Sequence, residues 1–79
     1  MNKWSVRYGN NLIEVQEGFR RERLYVNGEL QDEQEGWNLR SRLWGQLPTG
    51  ENIKVSIGGG WISIQCRIFV DHKLIFTTK

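Results

Sequence analysis

The sequence predicts an all-β fold, a single antiparallel β-sandwich or small barrel of about seven to eight strands joined by hairpins. Three observations carry that expectation. The 79 residues contain no alanine, the best helix former, beside many Val and Ile. Apolar side chains recur with a period of two along most of the chain. Turn-forming residues separate these alternating runs at short intervals, as in a domain built from hairpins. The length fits one domain, residues 1–79, with a thin core. Four Trp, three Phe and two Tyr supply large apolar areas that partly offset the small size.

Each element follows from this pattern. Trp4, Val6 and Tyr8 alternate with Lys3, Ser5 and Arg7, which predicts a strand with one buried face. Gly9-Asn10 tolerates positive φ, and Ile13 and Val15 restart the alternation, so the first two strands form a hairpin that Glu17-Gly18 ends. Leu24 and Val26 open a third strand, and Asn27-Gly28 follows as a type I′ turn signal. Its return strand, Glu29 to Asp32, is polar and short, and the acidic run from Asp32 to Gly36 reads as loop. A long strand then runs from Trp37 to about Leu47. Trp37, Leu39, Leu43 and Leu47 share its inner face, and Asn38, Arg40, Arg42, Trp44 and Gln46 its outer face. Pro48, Thr49 and Gly50 make a turn before the partner strand of Ile53, Val55 and Ile57. Gly58, Gly59 and Gly60 break the sheet as a bulge or wide turn. From Trp61 to Val70, Ile62, Ile64, Cys66, Ile68 and Val70 lie on one face, opposite Trp61, Ser63, Gln65, Arg67 and Phe69. Asp71-His72 is a two-residue turn, and Leu74 with Phe76 ends the fold. No segment repeats at a solenoid period.

A net charge of +2 is small for a dedicated nucleic-acid binder, which argues against a nucleic-acid partner. The basic cluster Arg20, Arg21 and Arg23 and the acidic cluster Glu29, Asp32, Glu33 and Glu35 read as two ends of a solvated hairpin attracting each other. The single cysteine, Cys66, cannot form an internal disulfide, which favours a reducing cytoplasm. Residues Met1 to Tyr8 do not form the apolar run of a signal peptide, and no stretch approaches the roughly 18 apolar residues of a spanning helix. The expectation is a soluble, cytoplasmic protein with no membrane partner.

Reactive chemistry is scarce. His72, between Asp71 and Lys73, reads as an exposed turn residue without the partner and pocket that a catalytic histidine needs. Cys66, flanked by Ile64 and Ile68 at two-residue spacing, reads as a small buried hydrophobe. One Cys and one His show no metal-ligand spacing, so no metal and no cofactor is expected. The glycine triplet 58–60 lacks the following Lys-Ser or Lys-Thr and the helix of a phosphate loop. Glu14 with Glu17, or Asp32 with Glu35, are carboxylate pairs in charged, wet settings that suit general acid catalysis poorly. The chain is not expected to be an enzyme.

The least ordinary feature is the outer face of the two long strands, where Arg40, Arg42 and Trp44 oppose Trp61, Gln65, Arg67 and Phe69. Three readings compete for this mix of aromatic planes and guanidinium groups. It can be the inner wall of a second layer, with arginine stems covering the rings. It can be a surface for a protein partner or for self-association, where Trp and Arg are the usual anchors. It can stack the ring of a small ligand or nucleotide beside a charged group. Arg40, Arg42, Trp44, Trp61, Gln65 and Arg67 are the candidate binding residues.

The order Trp4, Gly9, Ile13-Glu14, Arg23-Leu24-Tyr25-Val26-Asn27-Gly28, Trp37 and Leu43-Trp44-Gly45 resembles one domain of the Fas apoptosis inhibitory molecule family. Ile53-Lys54-Val55-Ser56-Ile57 and Ile68-Phe69-Val70-Asp71-His72-Lys73-Leu74 continue the likeness over most of the chain. The resemblance implies an antiparallel β-sandwich and a non-enzymatic binding module, in a family associated with protein interactions and with protection against cell death and protein aggregation. The family's Asp-Gly-Lys turn is replaced by Asn27-Gly28-Glu29 in one place and Asp71-His72-Lys73 in the other. The fold inference survives these changes and the apoptotic role does not follow. The run from Leu24 to Asp32 is also similar to one in small uncharacterised bacterial β-proteins.

Overall fold

The computed structural model describes residues 2–36, 40–59 and 63–78. Eight antiparallel strands form two four-stranded sheets. The first holds β1 (Asn2–Tyr8), β2 (Asn11–Gly18), β3 (Arg21–Val26) and β4 (Glu29–Glu35) in chain order. The second holds β5 (Arg40–Gln46), β6 (Asn52–Gly59), β7 (Ile64–Val70) and β8 (Lys73–Thr77), again in chain order. Each sheet is therefore a meander whose connections are hairpins. The two sheets share one core and no backbone ladder joins them, which makes the domain a sandwich rather than a closed barrel. Among the described residues no helix is long and apolar enough to cross a membrane.

The inner faces follow the period of two. Ile13 and Val15 of β2 and Leu24 and Val26 of β3 meet Leu43, Ile53, Val55, Ile57, Cys66, Ile68 and Val70 of the second sheet, all buried. Leu47, just past β5, joins them, and Trp4, Val6, Tyr8, Ile75 and Phe76 pack at the margin, half-buried. Trp37, Leu39, Gly60, Trp61 and Ile62, which the alternation and turn signals also assign, lie outside the described residues.

Three local expectations are corrected. The acidic run is strand, not loop: β4 continues to Glu35 because Glu33 and Glu35 pair across the ladder with Arg23 and Arg21. Gly58 and Gly59 do not break the sheet but end β6, opposite Gln65 and Ile64. A Cβ on Gly59 would stand 2.3 Å from the Ser63 carbonyl oxygen, so the close approach of that backbone requires glycine. Ile64, expected in the core, opens β7 with 36% of its surface exposed, opposite the bare backbone of Gly59. Leu74 and Phe76, two residues apart, lie on opposite faces, because Phe69 pairs with Leu74 while Ile68 pairs with Phe76. The extra residue Ile75 is a β-bulge, and a bulge reverses the alternation beyond it.

The two sheets are built alike, strand for strand. Ile13 pairs with Val26 and Val15 with Leu24, while Ile53 pairs with Val70 and Val55 with Ile68. Each sheet carries one bulge in its last hairpin, between Leu24 and Tyr25 in one and between Ile68 and Phe69 in the other. The turns before β4 and β8 correspond as well. Asn27 and Gly28 have φ of 50° and 85°, and Asp71 and His72 have φ of 47° and 69°. The Asn27 N–H donates to the Leu12 carbonyl at 2.8 Å, and Asn27 Oδ1 accepts from the Leu12 N–H at 2.8 Å. Asp71 repeats both bonds with Asn52, each at 2.9 Å. In this correspondence Lys3 matches Arg42, Gln16 matches Ser56, Arg23 matches Arg67 and Glu33 matches Thr77.

Side chains join the sheets where β4 meets β5. The Trp44 N–H donates to Asp32 Oδ2 at 2.8 Å and the Gln46 N–H donates to Gln31 Oε1 at 3.2 Å. Edge N–H groups that no strand pairs are thus satisfied by the neighbouring sheet.

Candidate binding site

On the second sheet the outward residues of β5, β6 and β7 form cross-strand rows. Arg40, Gly58 and Gln65 make one row, Arg42, Ser56, Arg67 and Thr77 the next, and Trp44, Lys54, Phe69 and Leu74 the third. A cleft of about 960 Å³, within the size range of small-molecule sites, opens over the small residues Ser56 and Gly58 and reaches past β5 to Gln34 of β4 and the buried Ser41. Its lining includes Arg40, Arg42, Trp44, Gln65 and Arg67, five of the six candidate residues. Trp61, the sixth, lies outside the described residues.

Trp44 decides between the competing readings of this face. Among the described residues no second layer covers its side of the sheet, and 55% of its surface is exposed. The reading of this face as the inner wall of another layer is therefore overturned for Trp44. Lys54 is committed locally, with its Nζ 4.8 Å from the centre of the Phe69 ring. Leu74 is 46% exposed and extends the apolar row to the edge of the sheet.

The electrostatics of the two sheets differ sharply. On the first, Arg23 Nε lies 2.8 Å from Glu33, and Arg21 bonds Glu33 at 3.2 Å and Glu35 at 3.0 Å. The basic and acidic clusters of the sequence do attract each other across this hairpin. The Glu33 hydrogen bond raises the Arg23 pKa further. On the second sheet, Arg40, Arg42 and Arg67 form no ion pair among the described residues. Residues 1–36 hold five basic against seven acidic residues, whereas residues 37–79 hold six against two. The small overall charge conceals a basic face. Comparison with known families, with curated proteins and with solved structures finds no match to this chain.

The remaining candidates are placed as follows. Cys66 is fully buried and burial pushes its thiol up to about 12, far from a thiolate nucleophile. His72 is exposed at its turn. Glu14 lies on the outer face, in the row of Ser5 and Tyr25, while Glu17 pairs with Asn2 and accepts from its Nδ2 at 2.9 Å on the other face. Asp32 points inward to the Trp44 N–H, and Glu35 points outward to Arg21. Neither carboxylate pair converges. Sequence reasoning missed Gln34, Ser41, Ser56 and Ser63, which help line the cleft, because uncharged polar residues carry no signal until their neighbours are known.

Proposed function

We propose that the chain is a non-enzymatic binding module whose contact surface is the outer face of the second sheet, used for a protein partner or for self-association. One observation carries the reading. Three arginines that form no ion pair among the described residues stand beside a half-exposed tryptophan on an otherwise ordinary sheet surface. Trp and Arg are the residues that most often anchor interfaces, and an unneutralised basic face favours a partner of opposite charge. The resemblance to the Fas apoptosis inhibitory molecule family points the same way. A reducing, cytoplasmic setting suits the buried free thiol of Cys66.

The test is substitution of Trp44 and Arg42 by Ala, followed by pull-down and sedimentation. Both positions are exposed, so the fold should persist, as circular dichroism can verify. Loss of partner capture or of self-association supports the reading. Unchanged partners and an unchanged sedimentation coefficient in a folded variant would sink it. The concavity of the cleft favours a second reading, a small-ligand or nucleotide site on the same face. A ligand bound only by the native state raises the melting temperature in a panel screen.

A further inference from the structure

We infer that the row Arg42, Ser56 and Arg67, with Arg40 beside it, is an anion site that takes a ligand carrying two or more linked phosphate groups. This rests on the second reading of that face, as a small-ligand or nucleotide site, and it names the ligand chemistry. The first sheet supplies an internal comparison. Its equivalent row is Lys3, Gln16, Arg23 and Glu33, closed by the 2.8 Å bond from Arg23 to the Glu33 carboxylate. In the second sheet the register is the same, but Thr77 stands where the carboxylate would be. The arginines are kept and the internal anion is not.

Geometry narrows the ligand. Arg42 and Arg67 lie two strands apart, about 10 Å, and Arg40 lies two residues from Arg42, about 7 Å along the strand. Long guanidinium side chains can converge over that span, above a floor of Ser56 and Gly58 that leaves room between them. A guanidinium matches phosphate oxygens with paired N–H donors. Three such cations in one cleft, with no carboxylate among its lining residues, require several negative charges in a small volume. Linked phosphates provide that density within one small ligand. Trp44 follows Arg42 by two residues on the same face, one row away, where a ring attached to the phosphates would stack. Free oligophosphate and the phosphate chain of a nucleotide share this chemistry.

The experiment is calorimetric titration of the intact chain with tripolyphosphate, ATP and a hexaglutamate peptide at fixed ionic strength of about 150 mM. Tripolyphosphate should bind. Arg42→Gln, Arg67→Gln and above all Thr77→Glu, which restores the carboxylate of the first sheet, should each weaken it about tenfold or more. Arg7→Gln, on the outer face of the other sheet, should leave it within about twofold, since isolated surface charges contribute little. Thr77→Glu keeps every arginine, so its effect does not depend on removing a cation from the fold. Tighter binding of ATP, with the gain lost in Trp44→Ala, would assign the phosphates to a nucleotide. Equal binding of ATP and tripolyphosphate would assign the site to the phosphate chain alone. The inference is overturned by absence of tripolyphosphate binding at millimolar concentration, by tighter binding of hexaglutamate, by an unaffected Thr77→Glu, or by equal weakening in Arg7→Gln. If tripolyphosphate fails while Trp44→Ala and Arg42→Ala still abolish partner capture, the binding-module reading stands without it.

Discussion

Cys66 is buried in the middle of β7, opposite Ile57, with no exposed surface. Burial disfavours the thiolate and raises the thiol from 9.0 to about 12. In the unfolded chain the thiol loses its proton near its ordinary value, while the folded chain holds it until about pH 12. Between those values the native state binds more protons than the unfolded state, so stability falls as pH rises. The slope from this group approaches about 1.4 kcal/mol per pH unit, and its contribution is fully present below about pH 9. Cys66→Ala removes the titration and leaves a roughly constant cavity cost in its place. Urea midpoints of the two chains should therefore converge between about pH 8 and pH 11, since tyrosine and lysine titrations are common to both. A constant gap across that range would contradict the buried thiol. Ser41, on the same inner face of the second sheet, shows a second cost of burial, because its Oγ has no hydrogen-bond partner among the described residues.

At the scale of elements, the turn between β7 and β8 is the clearest departure from good local chemistry. Both central residues have positive φ, and the second is His72 at 69° where the equivalent turn has Gly28 at 85°. A side chain in the left-handed region costs about 1 kcal/mol, and His72 is exposed, with nothing to pack against in return. His72→Gly should raise stability by about 0.5–1 kcal/mol, the greater freedom of glycine in the unfolded chain offsetting part of the gain. A higher urea midpoint with an unchanged denaturant slope is the expected result, and an unchanged or lower midpoint would count against the strain. The turn at Asn27-Gly28 was readable because residues that tolerate positive φ stand between alternating apolar runs, and Asp71-His72 was readable from its place between two apolar strands. Alternation likewise placed Ile13, Val15, Leu43, Val55 and Ile68 on the inner faces. It failed at Ile64, exposed at the start of β7 opposite Gly59, and at β4, whose acidic residues look like loop until Arg21 and Arg23 are set opposite them. The outward set of Arg40, Arg42, Trp44, Gln65 and Arg67 was legible for the same reason as the core. The missing carboxylate at Thr77 was not, since it depends on the pairing of β7 with β8 and on the matching row in the other sheet.

The molecule as a whole is two meanders of one design, a likeness the linear sequence hides because the hairpin loops differ in length. Two residues separate β1 from β2, whereas 47–51 separate β5 from β6, so the offset between matching positions changes at the first two loops and holds only across the third. Leu24 and Ile68 are matching positions, each fully buried at the centre of its sheet. Neither sheet has a core of its own: the inner residues of the first contribute Ile13, Val15, Leu24 and Val26, and these are buried only against the second. A half that cannot bury its apolar face alone gains little from folding alone. The two halves should therefore unfold together, despite their separate ladders. Leu24→Ala and Ile68→Ala should each cost about 2–5 kcal/mol, a large part of the roughly 4–12 kcal/mol available to a domain of this size. In both variants, urea unfolding followed by far-ultraviolet circular dichroism and by tryptophan fluorescence should give one coincident transition, because Trp4 reports on the first sheet and Trp44 on the second. A variant in which one sheet melts early and the other keeps its original midpoint would show that the meanders are independent units, and that the shared core contributes less than its burial implies.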